Sequence, residues 1–146
     1  MKTIEDRIAE QEARQAISEL RARYAWYGLR CEGEKVASLF TEECFFEVPA
    51  APGSPRKALR SRAELREFLG RSRPALGSIL PLVHNEITSI RGNEAEGSCV
   101  LHRPATSGAT AMAGRYLERF KRIDGTWFFS ERRLFRAIPD WEDEHG

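Results

Sequence analysis

With 146 residues, 41% hydrophobic, 31% charged and 10% aromatic, the chain has room for one domain that buries roughly two-thirds of its unfolded surface. Its 23 Lys+Arg against 22 Asp+Glu leave a formal net charge of +1, so no whole-molecule field draws it to nucleic acid or to an anionic membrane. Cys31, Cys44 and Cys99 match neither a disulfide framework nor a zinc spacing, and no apolar run approaches the ~18 residues of a spanning helix; the expectation is a soluble cytoplasmic protein.

The first helix is announced by Thr3 and Asp6, a capping-box pair, and by apolar residues at Ile4, Ile8, Ala13, Ile17, Leu20, Tyr24 and Tyr27, close to the helical period. Gly28 ends or kinks it. A second, short helix is expected over Gly33 to Phe40, with Val36, Leu39 and Phe40 as its apolar face, then a turn at Thr41-Glu42-Glu43 and a strand from Cys44 to Val48 stopped by Pro49. Residues Ala50 to Pro55 read as a surface loop. Ser61 and Glu64 form a second capping pattern ahead of Leu65, Phe68 and Leu69, predicting a third helix.

From Leu82 the pattern changes to strands of roughly Leu82 to Arg91, Glu94 to Arg103, Ala109 to Ile123 and Thr126 to Ile138. Gly92-Asn93 and Asp124-Gly125 are two-residue hairpin signals. The second half is therefore expected to be an antiparallel meander that buries one face under the earlier helices. No internal repeat divides the chain, which reads as a single domain over 1–146, with an acidic, frayed tail from Asp140 to Gly146.

Arg23-Tyr24-Ala25-Trp26, Leu39-Phe40-Thr41-Glu42 and Phe46-Glu47-Val48-Pro49 resemble the opening of the SnoaL-like branch of the nuclear transport factor 2-like superfamily. Gly92 to Gly97 resembles its hairpin, and Gly114 to Phe120 with Asp124 to Trp127 its last two strands. The resemblance implies a cone-shaped α+β barrel: three N-terminal helices on a strongly curved antiparallel sheet, a pocket inside, and often a homodimer through the outer sheet face. Its functions include dehydratases, ketosteroid isomerases, polyketide cyclases and proteins that only bind, and fold alone does not choose among them.

Candidate site residues follow from that likeness and from side-chain chemistry. Tyr24 matches a pocket tyrosine of the family's dehydratases, whose phenol can hydrogen-bond a substrate oxygen; the bland alternative is that it continues the buried helical stripe. Trp26 and Tyr27 adjoin it. Leu29 stands where those dehydratases carry an aspartate paired with a histidine, so half of an acid–base pair is missing. His84 is the best remaining titratable group, although a histidine at a strand start is often structural. Asn85 beside it fits a frequent family asparagine, and only one of the two can face inward in a regular strand.

His102 and Arg103 fall near a second acidic position of the dehydratases, on opposite faces of their strand, and which face is inner stays open. Glu118 shares a face with Tyr116 and Phe120: inward it would be a candidate acid or base, outward a partner for a surface arginine, as Glu131 is for Arg132 and Arg133. Arg136 matches an arginine that can hold an anionic part of a ligand. Phe46 and Val48 supply apolar lining, Val48 replacing a second pocket tyrosine.

The seven basic residues between Arg56 and Arg73 (Arg56, Lys57, Arg60, Arg62, Arg66, Arg71 and Arg73) lack an aromatic platform or reader motif and read as a solvated helix face rather than a nucleic-acid surface. His84, His102 and His145 lack metal-ligand spacing, and no phosphate loop or nucleophile elbow is present. The expectation is thus a cofactor-independent cyclase, isomerase or dehydratase for a polycyclic, polyketide or terpenoid-like small molecule. Catalytic candidates are Tyr24, His84, His102 and Glu118. The alternative is a non-catalytic small-molecule binder of the same fold.

Overall fold

Helix α1 (Ile4–Leu29) begins where the sequence caps it: the Asp6 N–H donates to Thr3 Oγ1 and the Thr3 N–H to the Asp6 carboxylate, each at 3.0 Å. Its first turns stand clear of the body, with Ile4 and Ile8 exposed, and burial starts at Ala13 and continues through Ile17, Leu20 and Arg21. The computed structural model describes residues 1–50, 54–71, 82–104, 111–138 and 141–143. Parts of the expected Ala50 to Pro55 loop (51–53), Arg73, the first two residues of the Ala109 strand, Asp140 and the last three tail residues, His145 among them, lie outside these. No helix among the described residues is long and apolar enough to cross a membrane.

Helix α2 (Gly33–Ser38) is shorter than expected, because Phe40 already belongs to strand β1 (Phe40–Val48). The turn read at Thr41-Glu42-Glu43 is instead an irregular part of that strand, between the pairings of Phe40 and Phe45 with the last strand. Strand β2 (Lys57–Ser61), absent from the sequence reading, pairs antiparallel with β1 at the sheet edge. Helix α3 (Arg62–Arg71) is capped as expected by Ser61, whose Oγ accepts the Glu64 N–H at 3.1 Å; the Glu64 carboxylate reaches one residue further back, to the Arg60 N–H at 2.7 Å.

Strands β3 (Leu82–Arg91), β4 (Glu94–Arg103), β5 (Met112–Ile123) and β6 (Thr126–Ile138) form the expected meander. The six strands run in the order β2-β1-β6-β5-β4-β3. Because β1 lies parallel to β6, the sheet is mixed rather than wholly antiparallel: the chain returns to the sheet centre only after its last hairpin. The three helices pack on this curved sheet, α1 against β3 and β6 and α3 against β1 and β2. At the β5–β6 turn both Asp124 (φ 50°) and Gly125 (φ 79°) are left-handed, whereas at the β3–β4 turn Gly92 (φ 60°) is left-handed and Asn93 is not, the difference between type I′ and type II′ geometry.

Two bulges decide which side chains face the helices. In β6, Phe129 pairs with Phe120 and Glu131 with Arg119, leaving Ser130 as the extra residue, so the inward set changes from Trp127 and Phe129 to Arg132 and Leu134. In β3, the register shifts between His84 and Ile87, and Asn85 takes a left-handed φ of 52° there.

Inside lie two apolar clusters. One contains Ile17, Leu20, Phe40, Phe46, Leu65, Phe120 and Phe129; the other contains Cys99, Leu101, Met112, Tyr116 and Leu134. Val48 packs against both.

The close approach of β3 to β4 beneath α1 requires glycine at position 97, where a Cβ would lie 2.5 Å from the Ile87 carbonyl oxygen and 2.7 Å from Arg21 Nη2. Gly97→Ala is expected to lower stability by about 1–3 kcal/mol through overpacking, read as a reduced denaturation midpoint. An unchanged midpoint would show that the two strands can separate freely.

Candidate interior site

At the boundary between the two clusters sit three buried charges. Arg21 comes from the stripe of α1, Glu118 from β5, and Arg132 from the β6 position directly opposite Glu118; their exposures are 1%, 3% and 0%. Arg21 is fully engaged: Nε donates to Glu118 Oε1 at 2.9 Å, Nη2 lies 2.8 Å from the same oxygen, and Nη1 donates to Thr88 Oγ1 at 2.9 Å and approaches Glu86 at 3.4 Å. Arg132 Nε lies 3.2 Å from Glu118 Oε2 but without hydrogen-bond alignment. Glu118 is therefore inward, as one sequence reading allowed, and meets a guanidinium at each oxygen, the arrangement of a shared counter-ion.

Three rings enclose Arg132. Its guanidinium carbon lies 3.7 Å from the Tyr116 ring centroid, 4.1 Å from that of Tyr24 and 4.7 Å from that of Phe129, close cation–π contacts. Tyr24 also meets Tyr116 and Phe129 edge-on, at 6.3 and 5.9 Å between centroids. The two phenols hydrogen-bond each other. Burial raises both phenol pKa values above the ordinary tyrosine value, that of Tyr116 well above it, so both are neutral donors at physiological pH. The Cys99 thiol sits 3.9 Å from Arg132 Nη2 and is pushed up to about 11 by burial.

The structure thus brings Tyr24, Tyr116 and Glu118 together. Both imidazoles stand elsewhere: His84 and His102 are exposed on the outer sheet face, since Val83 and Leu101, their inward-facing neighbours, pack on or within the second cluster. Asn85 is exposed at its bulge. Trp26 is 54% exposed beside Arg30, Tyr27 packs partly buried under Lys35, and Leu29 is partly buried at the end of α1. Phe46 is deep in the first cluster, edge-on to Phe40.

Arg136 is tied to the C-terminal segment, its N–H donating to Glu142 at 2.9 Å and its Nε 3.5 Å from that carboxylate. Arg103 alternates with His102 and lies on the face of Cys99 and Leu101, and Glu131 pairs outward with Arg119 at 3.3 Å. Two clefts of about 300 and 440 Å³ also open on the outer face, the larger lined by Ile87, Ser98, Leu117 and Arg133 among others.

Arg21 and Arg132 are the site residues that sequence reasoning passed over. Arg21 lies one helical turn from Ile17 and next to Leu20, a charge inside an apolar stripe, and that was a legible signal. Arg132 was hidden by the Ser130 bulge, which reverses the alternation counted from Trp127 and Phe129.

A curved sheet covered by three helices, with a polar group set into an apolar interior, is the architecture of the NTF2-like proteins. The model of the SnoaL-like domain family matches residues 9–133, and the chain belongs to that family. No curated protein matches it in sequence.

Among solved structures it is similar to a variant of the Mycobacterium tuberculosis protein Rv3472, at 26% identity over 89% of this chain and 75% of that one, with a TM-score of 0.72. An NTF2-like protein with a cystatin-like fold from Novosphingobium aromaticivorans shows 19% identity over 96% and 94% of the two chains, TM-score 0.77. A scytalone dehydratase-like protein from the same organism shows 21% identity over 92% and 91%, TM-score 0.70. At these identities the last two likenesses concern the fold.

Two outcomes test the site's energetics. Glu118→Gln leaves both guanidiniums without their shared anion and is expected to destabilise the fold by about 3–5 kcal/mol, read by denaturant titration; a loss below ~1 kcal/mol would mean the charges are solvated. The raised thiol and phenols keep their protons in the fold more tightly than in the unfolded chain. Their contribution is therefore complete below the ordinary pKa values and is lost as pH rises through them. For Cys99, moved from 9.0 to about 11, this amounts to about 2–3 kcal/mol lost between pH 9 and 11. A Cys99→Ala variant should accordingly show a flatter alkaline stability curve than the parent.

Proposed function

We propose that the protein is a cofactor-independent enzyme of the cyclase, isomerase or dehydratase type, acting on a small, largely apolar molecule that carries an oxygen function, of polycyclic, polyketide or terpenoid character. The observation that carries this reading is the neutral phenol of Tyr24, partly exposed, hydrogen-bonded to Tyr116 and lying against the buried cation of Arg132. Tyr24 donates its hydroxyl hydrogen to a substrate carbonyl or hydroxyl oxygen. As negative charge gathers on that oxygen, the hydrogen bond strengthens, and Tyr116 and Arg132 support the phenol from behind. In a site without bulk water a fixed donor of this kind contributes about 3–4 kcal/mol to the barrier. The apolar cluster around Cys99, Leu101, Met112 and Leu134 would hold the carbon skeleton in a reactive conformer.

A second reading, a binding protein without turnover, is favoured by one specific observation: Leu29 occupies the usual aspartate position while His84 and His102 face outward, so neither half of an acid–base pair is inside among the described residues. Incubation with a panel of polyketide, steroid and terpenoid ketones, followed by mass and isomer analysis, separates the two readings. Conversion of at least one compound, slowed about 10²-fold or more by Tyr24→Phe and unaffected by His84→Ala or His102→Ala, is the expected result. A compound retained but chemically unchanged supports binding alone. Full turnover in Tyr24→Phe would remove the phenol from the mechanism.

A further inference from the structure

The buried ions do not balance. Within the interior, Arg21 and Arg132 carry two positive charges against the single negative charge of Glu118, and the additional carboxylate in reach, Glu86, is partly exposed and lies beside Arg21. The uncompensated cation is Arg132. A guanidinium has five N–H donors; here Nη2 meets only a thiol sulfur at 3.9 Å, while Nη1 and Nε are buried without a hydrogen-bond partner. A charge and donors left unpaired in an apolar interior are costly, and such a group points to an acceptor that arrives from outside.

Geometry narrows what that acceptor is. The rings of Tyr24, Tyr116 and Phe129 pack around the guanidinium within 4.7 Å, leaving the Nη1 side as the part of the group with neither ring nor acceptor assigned to it. The partly exposed member of this group is Tyr24, so a ligand oxygen reaches the neutral phenol and the cation from the same side. Beyond them lie Leu101, Met112 and Leu134, a wall suited to an apolar, planar body. One excess positive charge matches a monoanion, whereas a phosphate dianion would reverse the imbalance.

We infer that the site binds a delocalised monoanion, an enolate or phenolate oxygen on a planar apolar body, stabilised by Arg132 and the Tyr24 phenol. This rests on the small-molecule reading above and names the charge state that the site selects.

The test uses 4-nitrophenol, whose visible absorbance reports its ionisation, beside 4-nitrotoluene, a neutral analogue of similar shape. The expected result is that 4-nitrophenol binds the whole protein as its anion, ionises about one pH unit or more below the free compound, and binds about tenfold or more tightly than 4-nitrotoluene. Tyr24→Phe should weaken the shift with the fold intact, and Arg132→Met, if its circular dichroism shows a folded protein, should abolish it. The wild-type ionisation shift decides the matter even where Arg132→Met does not fold. Equal binding of both probes, or 4-nitrophenol bound in its neutral form, overturns the anion inference and leaves an apolar pocket standing. Binding of neither probe removes the anion inference together with the small-molecule reading.

Discussion

The fold is organised around a carboxylate shared by two buried guanidiniums. Withdrawing an ion from water costs several kcal/mol unless partners replace the lost solvation, so once Glu118 is inside, Arg21 and Arg132 must reach it, and the backbone has to permit that. Helix α1 is held close enough to β3 and β4 for Arg21 to bond Glu118 and Thr88, which is why a side chain at Gly97 would strike both Arg21 and the neighbouring strand. The extra residue at Ser130 turns Arg132 toward Glu118 while keeping Trp127 and Phe129 in the core. A regular β6 could satisfy one of those demands but not both.

This charge cluster also divides the interior into two functional layers. The cluster around Phe40, Leu65 and Phe129 is sealed by the helices and supplies most of the apolar burial. The smaller cluster around Cys99, Leu101 and Leu134 lies on the other side, with Tyr24 and Tyr116 at the border. Phenols are suited to that place because each presents an apolar ring to the core and one donor to whatever is polar. Arg132 then has two effects: it anchors the rings through cation–π contact, and its charge opposes the desolvation that raises both phenols.

Much of the architecture was legible because short-range chemistry dictated it. The capping pairs at Thr3 and Ser61 place two helix starts, and Gly92 and Asp124-Gly125 place two hairpins by tolerating positive φ. Strand β2 was not legible, since five residues with Lys57 and Arg60 exposed carry little alternation and owe their conformation to pairing with β1. Phe40 was read as helix because its apolar neighbours continue the period of α2, and only the tertiary pairing with Phe129 makes it strand. Which faces turn inward depended on Asn85 and Ser130, and a bulge leaves no periodic trace in a single sequence.

The interior chemistry follows from those same two bulges. Leu29 removes the acidic partner that would orient an imidazole, and the alternation through Val83 and Leu101 carries His84 and His102 to the outer face; two unrelated features thus remove both halves of one proton-transfer pair. What stays inside donates hydrogen bonds or bears positive charge, apart from the carboxylate already committed to two arginines. Such an interior is poorly equipped to pull a proton from carbon and well equipped to hold electron density on oxygen. Selectivity for the reacting molecule would then reside in its charge and its planar shape, because a preorganised cation in a dry site distinguishes an oxyanion from its neutral parent far more strongly than an apolar wall distinguishes one skeleton from another.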